Sequence, residues 1–192
     1  TCNATNVPGT FTYTPASGTV LNAGLSQALS VTFTPSDTSS FLTASNNVVI
    51  NVQQATLTIT ANSTNKAYGQ TLTLAGTEFG TGGLTNSDSV TSVTLTSSGA
   101  AAGATTGAYS IVPTAASGSG LTNYTISYVN GTLTVGTATL TVTADDKSKG
   151  FGAALPGLTA TYNGFVNGDG TNSLPALATL ATIATASSNT GT

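Results

Sequence analysis

The feature that most constrains this chain is a seven-residue segment that occurs twice with one change. Residues 55–61 read ATLTITA, and residues 138–144, at an offset of 83 residues, read ATLTVTA. Apolar and threonine residues alternate in both segments, which is typical of a β-strand with one buried face. The match extends to residues 66–69, KAYG, which recur as KGFG at 149–152. The chain is therefore predicted to repeat one β-structured unit.

The repeat divides the chain into three predicted units. Residues 55–136 form a complete unit, and residues 137–192 form a second copy that lacks the rear strands. Its loop at 165–169 aligns with residues 84–88 after a two-residue slip, which a surface loop tolerates. Residues 1–54 form a related, partial unit that lacks the front strands. The junctions leave almost no linker between consecutive units.

Alternation within the complete unit predicts which side chains are buried. Leu57 and Ile59 are predicted to face inward, with threonines between them facing solvent. Tyr124, Ile126 and Tyr128 follow the same pattern and are also predicted to face inward.

Turn residues predict where the strands are joined. The Asn130-Gly131 pair predicts a two-residue type I′ hairpin between the strands on either side of it. Pro15 and Pro35 are expected to end strands of the first unit or to lie at a sheet edge. Further strands are predicted near residues 71–75, 89–96, 107–112 and 174–186, with turns at 80–83 and 117–120.

The number of strands and turns predicts the fold class. Short strands with frequent turns, and no sustained helical periodicity, indicate an all-β chain of tandem immunoglobulin-like β-sandwich repeats. Because the junctions are short, we expect an elongated rod whose terminal units are incomplete within this chain. A unit of this size buries only about 60–65% of its unfolded surface. Neighbouring repeats, or other copies of the chain, are therefore its expected partners.

Composition excludes several classes of function. Only 5% of the 192 residues are charged, with three lysines, no arginine and no histidine. Zinc, haem and Ser-His-Asp sites then lack their usual ligands and bases, and a nucleic-acid interface lacks the clustered cations it needs. No apolar run approaches the roughly 18 residues of a membrane helix. The expectation is an extracellular β-protein that is no enzyme, binds no nucleic acid and does not insert into a membrane.

Three motifs carry a family resemblance. They are the Lys-x-Tyr/Phe-Gly step, the Asn-Gly-Asp loop at 167–169, and the sequence NYTISYVNGTLTV at 123–135. In these motifs the chain resembles the YGX-type MBG repeats of bacterial surface proteins, although Phe151 replaces the tyrosine. Residues 1–54, with VPGTFTYTPASGTVL and VTFTPSD, are similar to bacterial Ig-like repeats. The resemblance implies a non-enzymatic stalk or adhesive array in large secreted or cell-surface proteins, and it brings no active site.

Three aspartates are weak candidates for a metal site. Asp145 and Asp146 follow a strand near a predicted unit start, where Ca²⁺ binds in extracellular tandem arrays. Neutralisation by Lys147 and Lys149 is the simpler interpretation. Asp169 lies in an NGDGTN segment that faintly resembles a calcium loop, but its alignment favours an ordinary turn. We therefore expect no catalytic, cofactor-binding or metal site, and Ca²⁺ at these aspartates is the alternative left open.

A further candidate is an intramolecular Lys–Asn isopeptide bond. Lys66 would supply the amine, and Glu78, the single glutamate, would supply the acid. In the second copy Lys149 is retained, but Thr161 stands at the position aligned with Glu78 at the same offset. A cross-link shared by the repeats is therefore disfavoured. No spacing of acids suggests the converging pair of a glycosidase.

Tyrosines and the single cysteine complete the candidates. Tyr124 and Tyr128 share the inward register with Ile126, which favours core packing with the hydroxyl at the rim over sugar stacking. Cys2 is either an unpaired residue or a thiol for intermolecular pairing. Four sequons, among them Asn3-Ala4-Thr5, are expected by chance in a chain so rich in Asn and Thr. The tyrosines of a sugar-stacking platform would be Tyr13, Tyr68, Tyr109, Tyr124, Tyr128 and Tyr162.

Three functions remain in order of preference. The first is a structural stalk segment of an adhesin-like cell-surface protein. The second is a subunit of an extracellular filament, in which incomplete end units complete one another head to tail by strand addition. The third is a carbohydrate-binding module with host or matrix glycans as partners. The sequence does not identify binding residues.

Overall fold

The computed structural model describes residues 7–191. Within this range the chain is all-β, as predicted, with twelve strands and three short 3-10 helices. No helix in the described range is long and apolar enough to span a bilayer. The strands are β1 Gly9–Thr14, β2 Gly24–Pro35, β3 Ala44–Val52, β4 Ala55–Ala61, β5 Thr64–Ala67, β6 Phe79–Gly82, β7 Ser89–Thr96, β8 Gly107–Ser119, β9 Tyr124–Val129, β10 Gly131–Gly136, β11 Thr141–Ala144 and β12 Ala160–Asn163. The 3-10 helices are Ser98–Ala100, Leu121–Asn123 and Thr171–Ser173.

The strands of the described range form four sheets. Their orders are β1-β2-β3, β6-β4-β9, β5-β10-β8-β7 and β11-β12. Strand β9 runs parallel to β4, and β5 runs parallel to β10. The β1-β2, β2-β3, β4-β6, β8-β10 and β11-β12 pairs are antiparallel.

Contacts group the chain into two compact units. The first contains the described residues up to Asn62, together with Ala75–Leu95 and Val112–Asn130. The second contains Ser63–Leu74, Thr96–Ile111 and the described residues from Gly131 onward. The division at residues 54 and 136, which follows the sequence repeat, stays a prediction.

The β1-β2-β3 sheet has one apolar face. Phe11 pairs with Phe33, and their ring centroids lie 4.9 Å apart. Tyr13 pairs with Val31 on the same face, while threonines alternate with them on the other. Tyr13 is 61% exposed and Val48 is 60% exposed. This face therefore remains largely open to solvent.

Strand β4 confirms the predicted alternation. Leu57 and Ile59 have no exposed surface, and the threonines between and beside them are more exposed. Its parallel neighbour β9 follows the prediction only in part, because Tyr124 is 4% exposed but Tyr128 is 38% exposed. Tyr128 lies near the end of β9, an outer strand of the β6-β4-β9 sheet, where less structure covers it.

The predicted hairpin at Asn130-Gly131 is wrong. Strand β9 pairs with β4, whereas β10 pairs with β5 and β8, so the two strands lie in different sheets. Gly131 is buried and pairs with Ile111, and neither Asn130 nor Gly131 has the positive φ that a type I′ turn requires. A local turn signal is overridden here by pairing with strands distant in sequence.

Other local predictions have mixed outcomes. The strands near 89–96 and 107–112 are confirmed by β7 and β8, and Pro15 and Pro35 stand at strand ends as expected. Residues 71–75 form a loop instead of a strand, and the Leu72 N–H donates to the Ala100 carbonyl at 2.9 Å.

Both predicted turns are wrong. Residues 79–82 form β6, which pairs with β4, and β8 continues to Ser119. The glycines of β6 are tolerated because β6 is an outer strand of its sheet.

The strand predicted at 174–186 does not form. Its aligned counterpart β7 is held in place by its neighbour β8. Within the described residues, the later copy has no counterpart of β8 that could pair with residues 174–186. Alternating sequence alone is therefore insufficient here, because a strand needs a hydrogen-bonding neighbour.

The two copies of the repeat share a backbone pattern that locates the slip. The Asn62 N–H donates to the Glu78 carbonyl at 2.9 Å, and the Asp145 N–H donates to the Thr159 carbonyl at the same distance. Glu78 and Thr159 are therefore equivalent, and the expected equivalence of Glu78 with Thr161 is wrong. The two-residue slip lies before these positions, in the loop between the paired strands.

Truncation of Leu133 tests the burial on β10. Leu133 has no exposed surface, so Leu133→Ala should lower the free energy of unfolding by about 2–5 kcal/mol. The adjacent, exposed Thr134 is the matched control, and Thr134→Ala should change it by less than about 0.5 kcal/mol. Urea unfolding followed by tyrosine fluorescence measures both. Equal losses in the two variants would contradict the burial pattern.

Candidate functional site

Asp145 lies just after β11 and binds side chains of the paired segment. Its carboxylate accepts hydrogen bonds from the Thr159 hydroxyl at 2.5 Å and from the Thr161 hydroxyl at 2.7 Å. The bond from Thr159 is the main cause that holds the pKa of Asp145 below its ordinary value. The bond from Thr161 adds to this effect, and the charge of Lys147 adds less. Both carboxylate oxygens therefore have partners within the protein.

The other two candidate aspartates, Asp146 and Asp169, lie in different segments of the chain. Asp146 is exposed and follows Asp145 directly. The Asp169 N–H donates to the Val166 carbonyl at 2.9 Å, which closes a turn, and the Asp169 carboxylate accepts from the Ser173 hydroxyl at 3.3 Å. In residues 7–191, no three His, Cys, Asp or Glu side chains form a group that could hold a metal ion.

Lys66 and Glu78 each bond to backbone groups. The Lys66 side chain is 8% exposed, and its ammonium donates to the carbonyls of Gln70 at 2.6 Å and Ala101 at 2.5 Å. The Glu78 carboxylate accepts from the N–H groups of three residues, 75–77. The bond from Ala75 is the main cause that lowers the pKa of Glu78. Main-chain groups are therefore hydrogen-bond partners of both side chains, and the isopeptide bond considered from the sequence stays a hypothesis.

Several tyrosine hydroxyls have intramolecular partners. The Tyr124 hydroxyl bonds to the Asp88 carboxylate at 3.0 Å and accepts from the Thr85 N–H at 2.9 Å. The hydroxyls of Tyr128 and Tyr162 accept backbone N–H groups of residues 116 and 178 at 2.9 and 2.7 Å. Tyr109 donates to the Thr105 carbonyl. Tyr13, at 61% exposed, is the most exposed large aromatic ring among them.

Cys2 and the sequon at Asn3 lie outside the described residues. Their predicted roles stay predictions.

A first joint connects the β1-β2-β3 segment to the following strands within the first unit. Only two residues, 53 and 54, separate β3 from β4. The Asn123 side-chain carbonyl accepts the Ala23 N–H at 2.9 Å. The Gln54 amide donates to the Thr122 carbonyl at 3.0 Å and accepts from the Thr125 hydroxyl at 3.2 Å. We call this set of contacts the first joint.

A second joint lies within the second unit, at the Tyr-Gly step. The Ala102 carbonyl accepts two hydrogen bonds, one from the Gly69 N–H at 3.2 Å and one from the Asn167 side-chain amide at 2.8 Å. Val166 packs directly on Gly69, where a Cβ would overlap the Val166 side chain. Gly69 also has φ of +87°, which favours glycine. We call the contacts of Gly69 and Ala102 with Val166 and Asn167 the second joint.

Lys66 braces the part of the second joint that contains Gly69 and Ala102. Its ammonium links the carbonyls of Gln70 and Ala101, which flank the turn and the neighbouring loop. The Tyr68 N–H donates to the Gly136 carbonyl at 2.8 Å and fixes the turn to the end of β10. The Lys-x-Tyr-Gly motif is therefore a structural unit that holds the Gly69 surface in place.

A small groove of about 260 Å³ adjoins the second joint. Its lining is mostly apolar and includes Tyr68, Leu140, Phe165 and Leu174, with Asp169 as its ionisable group. Tyr162 stacks on Phe165 at a centroid distance of 6.4 Å. The groove is a packing feature of the joint and carries no cluster of acids or bases.

Comparison with known families agrees with this pattern. A model of the MBG domain (YGX type) matches residues 57–134 and again residues 140–192. The chain belongs to this family. The Tyr-Gly step of its name is the step that holds Val166 in the second joint. No curated protein and no solved structure matches the chain. Residues 1–56 lie outside both family matches.

Sequence reasoning identified the parts of the second joint but not their contact. The repeated Lys-x-Tyr-Gly step and the Asn-Gly-Asp loop were both visible as recurring motifs. Their spacing of nearly a hundred residues gives no indication that they touch. Thr159 and Thr161 were missed as partners of Asp145 because that contact depends on the β11-β12 register.

The bond between Thr159 and Asp145 yields a testable pH dependence. The pKa of Asp145 is lower in the folded protein than in the unfolded chain, where it is about 3.9. The ionised carboxylate therefore stabilises the fold at pH values above about 3.9, and this stabilisation is lost as the pH falls through the pKa of the folded protein. Thr159→Val should raise the pKa of Asp145 and reduce this loss. Carbon-detected NMR titration measures the pKa, with exposed Thr143→Val on β11 as the control. An Asp145 pKa that is unchanged in Thr159→Val would contradict the assignment.

Proposed function

We propose that this MBG chain is a spacer segment of a bacterial extracellular or cell-surface protein, with no enzymatic activity of its own. The observation that carries the proposal is the pair of joints. At each joint, direct hydrogen bonds connect residues that lie far apart in the sequence. The chain that leads from one of the joined segments into the next is short. A spacer needs fixed connections of this kind, since a flexible linker would let its ends approach freely.

Composition and family support the same function. MBG domains are repeat domains of large surface proteins, and two consecutive matches lie in this chain. The exposed strand faces are rich in threonine instead of charge, in a chain with 5% charged residues. The candidate acids Asp145 and Glu78 are bonded to hydroxyl and backbone donors, which leaves them poorly placed for acid–base chemistry.

Extension under load tests the spacer function. Tethered between handles at its two ends, the chain should keep a nearly constant length until it unfolds in discrete steps. The double variant Asn123→Ala with Asn167→Ala removes one side-chain hydrogen bond across each joint and should extend more at low force. Asn65→Ala, which alters an exposed residue of β5, is the control. Gradual extension of the unaltered chain, as for a flexible linker, would contradict the proposal.

A second function, a filament subunit, is favoured by one specific observation. Strand β4 has β6 on one side and β9 on the other, whereas its counterpart β11 has β12 and no second neighbour among the described residues. Val142 on β11 is 43% exposed. The apolar face of the β1-β2-β3 sheet is likewise open, so strand addition from another copy would cover surface at both places.

Electron microscopy separates the two functions. A spacer should give single particles at every protein concentration, and a filament subunit should give open-ended fibres. Deletion of residues 1–54 should abolish such fibres if strand exchange builds them. A glycan array serves as the control for the carbohydrate-binding hypothesis: binding lost in Tyr68→Ala or Tyr162→Ala would contradict both structural functions.

A further inference from the structure

The second joint has two halves that can be described separately. The receiving half is the Tyr68-Gly69 turn together with the Ala102 carbonyl. The inserting half is the loop at 165–169, which supplies Val166 and Asn167. Each half belongs to a different copy of the MBG repeat, since the family matches residues 57–134 and 140–192 separately.

The later copy builds the same receiving half at Phe151-Gly152. The Gly152 N–H donates to the Ala186 carbonyl at 3.1 Å, as the Gly69 N–H does to the Ala102 carbonyl at 3.2 Å. The Lys149 ammonium also donates to the Ala186 carbonyl, at 3.0 Å, whereas Lys66 donates to the carbonyls of Gln70 and Ala101. Backbone conformation agrees as well, with φ of +79° at Gly152 and +87° at Gly69.

The two receiving halves differ in whether another side chain covers the glycine. A Cβ at Gly69 would overlap Val166, whereas a Cβ at Gly152 would meet no atom within 4 Å. Phe151, the counterpart of half-buried Tyr68, is 69% exposed. The later copy therefore presents a formed but uncovered surface with an aromatic ring beside an open glycine.

The inserting half also recurs. In the loop at 165–169, Asn167 and Gly168 have φ of +56° and +78°, and the Asp169 N–H donates to the Val166 carbonyl at 2.9 Å. In the aligned loop at 84–88, Asn86 and Ser87 have φ of +54° and +64°. The Asp88 N–H donates to the Thr85 carbonyl, again at 2.9 Å. The turn is thus a property of the repeat and not of one copy.

We propose that the Phe151-Gly152 turn with the Ala186 carbonyl is a docking surface for the Asn-x-Asp loop of a further YGX-type repeat. The β-branched residue before the asparagine packs on Gly152, as Val166 packs on Gly69. The asparagine amide takes the place of the Lys149 ammonium on the Ala186 carbonyl and donates to it, as Asn167 donates to Ala102. This inference rests on the proposed function, because it takes the joint as the connection between consecutive repeats.

An extended chain provides the direct test. Residues 190–192 align with 106–108, so residues 109–192 are appended after Thr192 to complete the later copy and to add one more. A shorter chain with only residues 109–136 appended completes the later copy without adding an inserting loop. The readout is amide hydrogen exchange of residues 150–153 and 184–188, measured by mass spectrometry.

Both extended chains complete the later copy, but only the longer one adds an inserting loop. A difference in exchange between them therefore reports docking of that loop. Exchange at Phe151-Gly152 should be about fivefold to tenfold slower in the longer chain than in the shorter one, as one added hydrogen bond and its packing imply. Val166→Asp with Asn167→Ala, placed in the appended copy only, should restore the faster exchange. Thr171→Ala in that copy, outside the inserting loop, should leave the protection intact.

Two outcomes would overturn the inference in distinguishable ways. Equal exchange in the longer and shorter chains would refute docking at Phe151-Gly152 and leave the spacer function standing. The original chain carrying Val166→Asp with Asn167→Ala tests the second joint itself, through exchange at residues 67–70 and 100–104. No change there would refute both the joint and the proposed function that depends on it.

Discussion

Burial of every second side chain is the constraint on which this structure depends. On β10, Gly131, Leu133 and Val135 are buried while the residues between them are exposed. Strand β4 shows the same alternation around Leu57 and Ile59. The exposed positions of these strands hold threonine and not charge, a β-branched residue that suits a strand's solvent face. Places where a strand lacks a neighbour are also the places where apolar surface is open, as at Tyr13 and Val142.

Predictions that depend on residues close together in the sequence succeeded, and predictions that depend on which distant strands pair failed. The alternation in ATLTITA is a property of one strand, and the structure has it as predicted. The Asn130-Gly131 hairpin failed because β9 and β10 prefer partners that lie elsewhere in the sequence. Residues 174–186 resemble β7 but form no strand, since a pattern of side chains cannot supply the neighbouring backbone that the strand requires.

The same distinction applies to the candidate sites. Asp145 was recognisable from its position after a strand, but its partners Thr159 and Thr161 follow only from the register of β11 with β12. The Tyr-Gly step and the Asn-Gly-Asp loop were recognisable as repeated motifs, whereas their contact depends on how one copy meets the next. What sequence repetition could give was the list of parts. Their assembly required the tertiary structure.

The inserted Val166 and Asn167 contact the receiving half of the second joint at a residue without a side chain and at a main-chain carbonyl. The Ala102 carbonyl is present whatever residue stands at position 102, and Gly69 contributes only space. Substitutions at position 102 would therefore leave this acceptor in place, whereas Lys66 and Gly69 are needed for the turn beside it. Sequence drift between copies is compatible with continued assembly, provided that the glycine and the inserted asparagine persist. The inserting half thus supplies the side chains of the contact, and the receiving half supplies a carbonyl and open space.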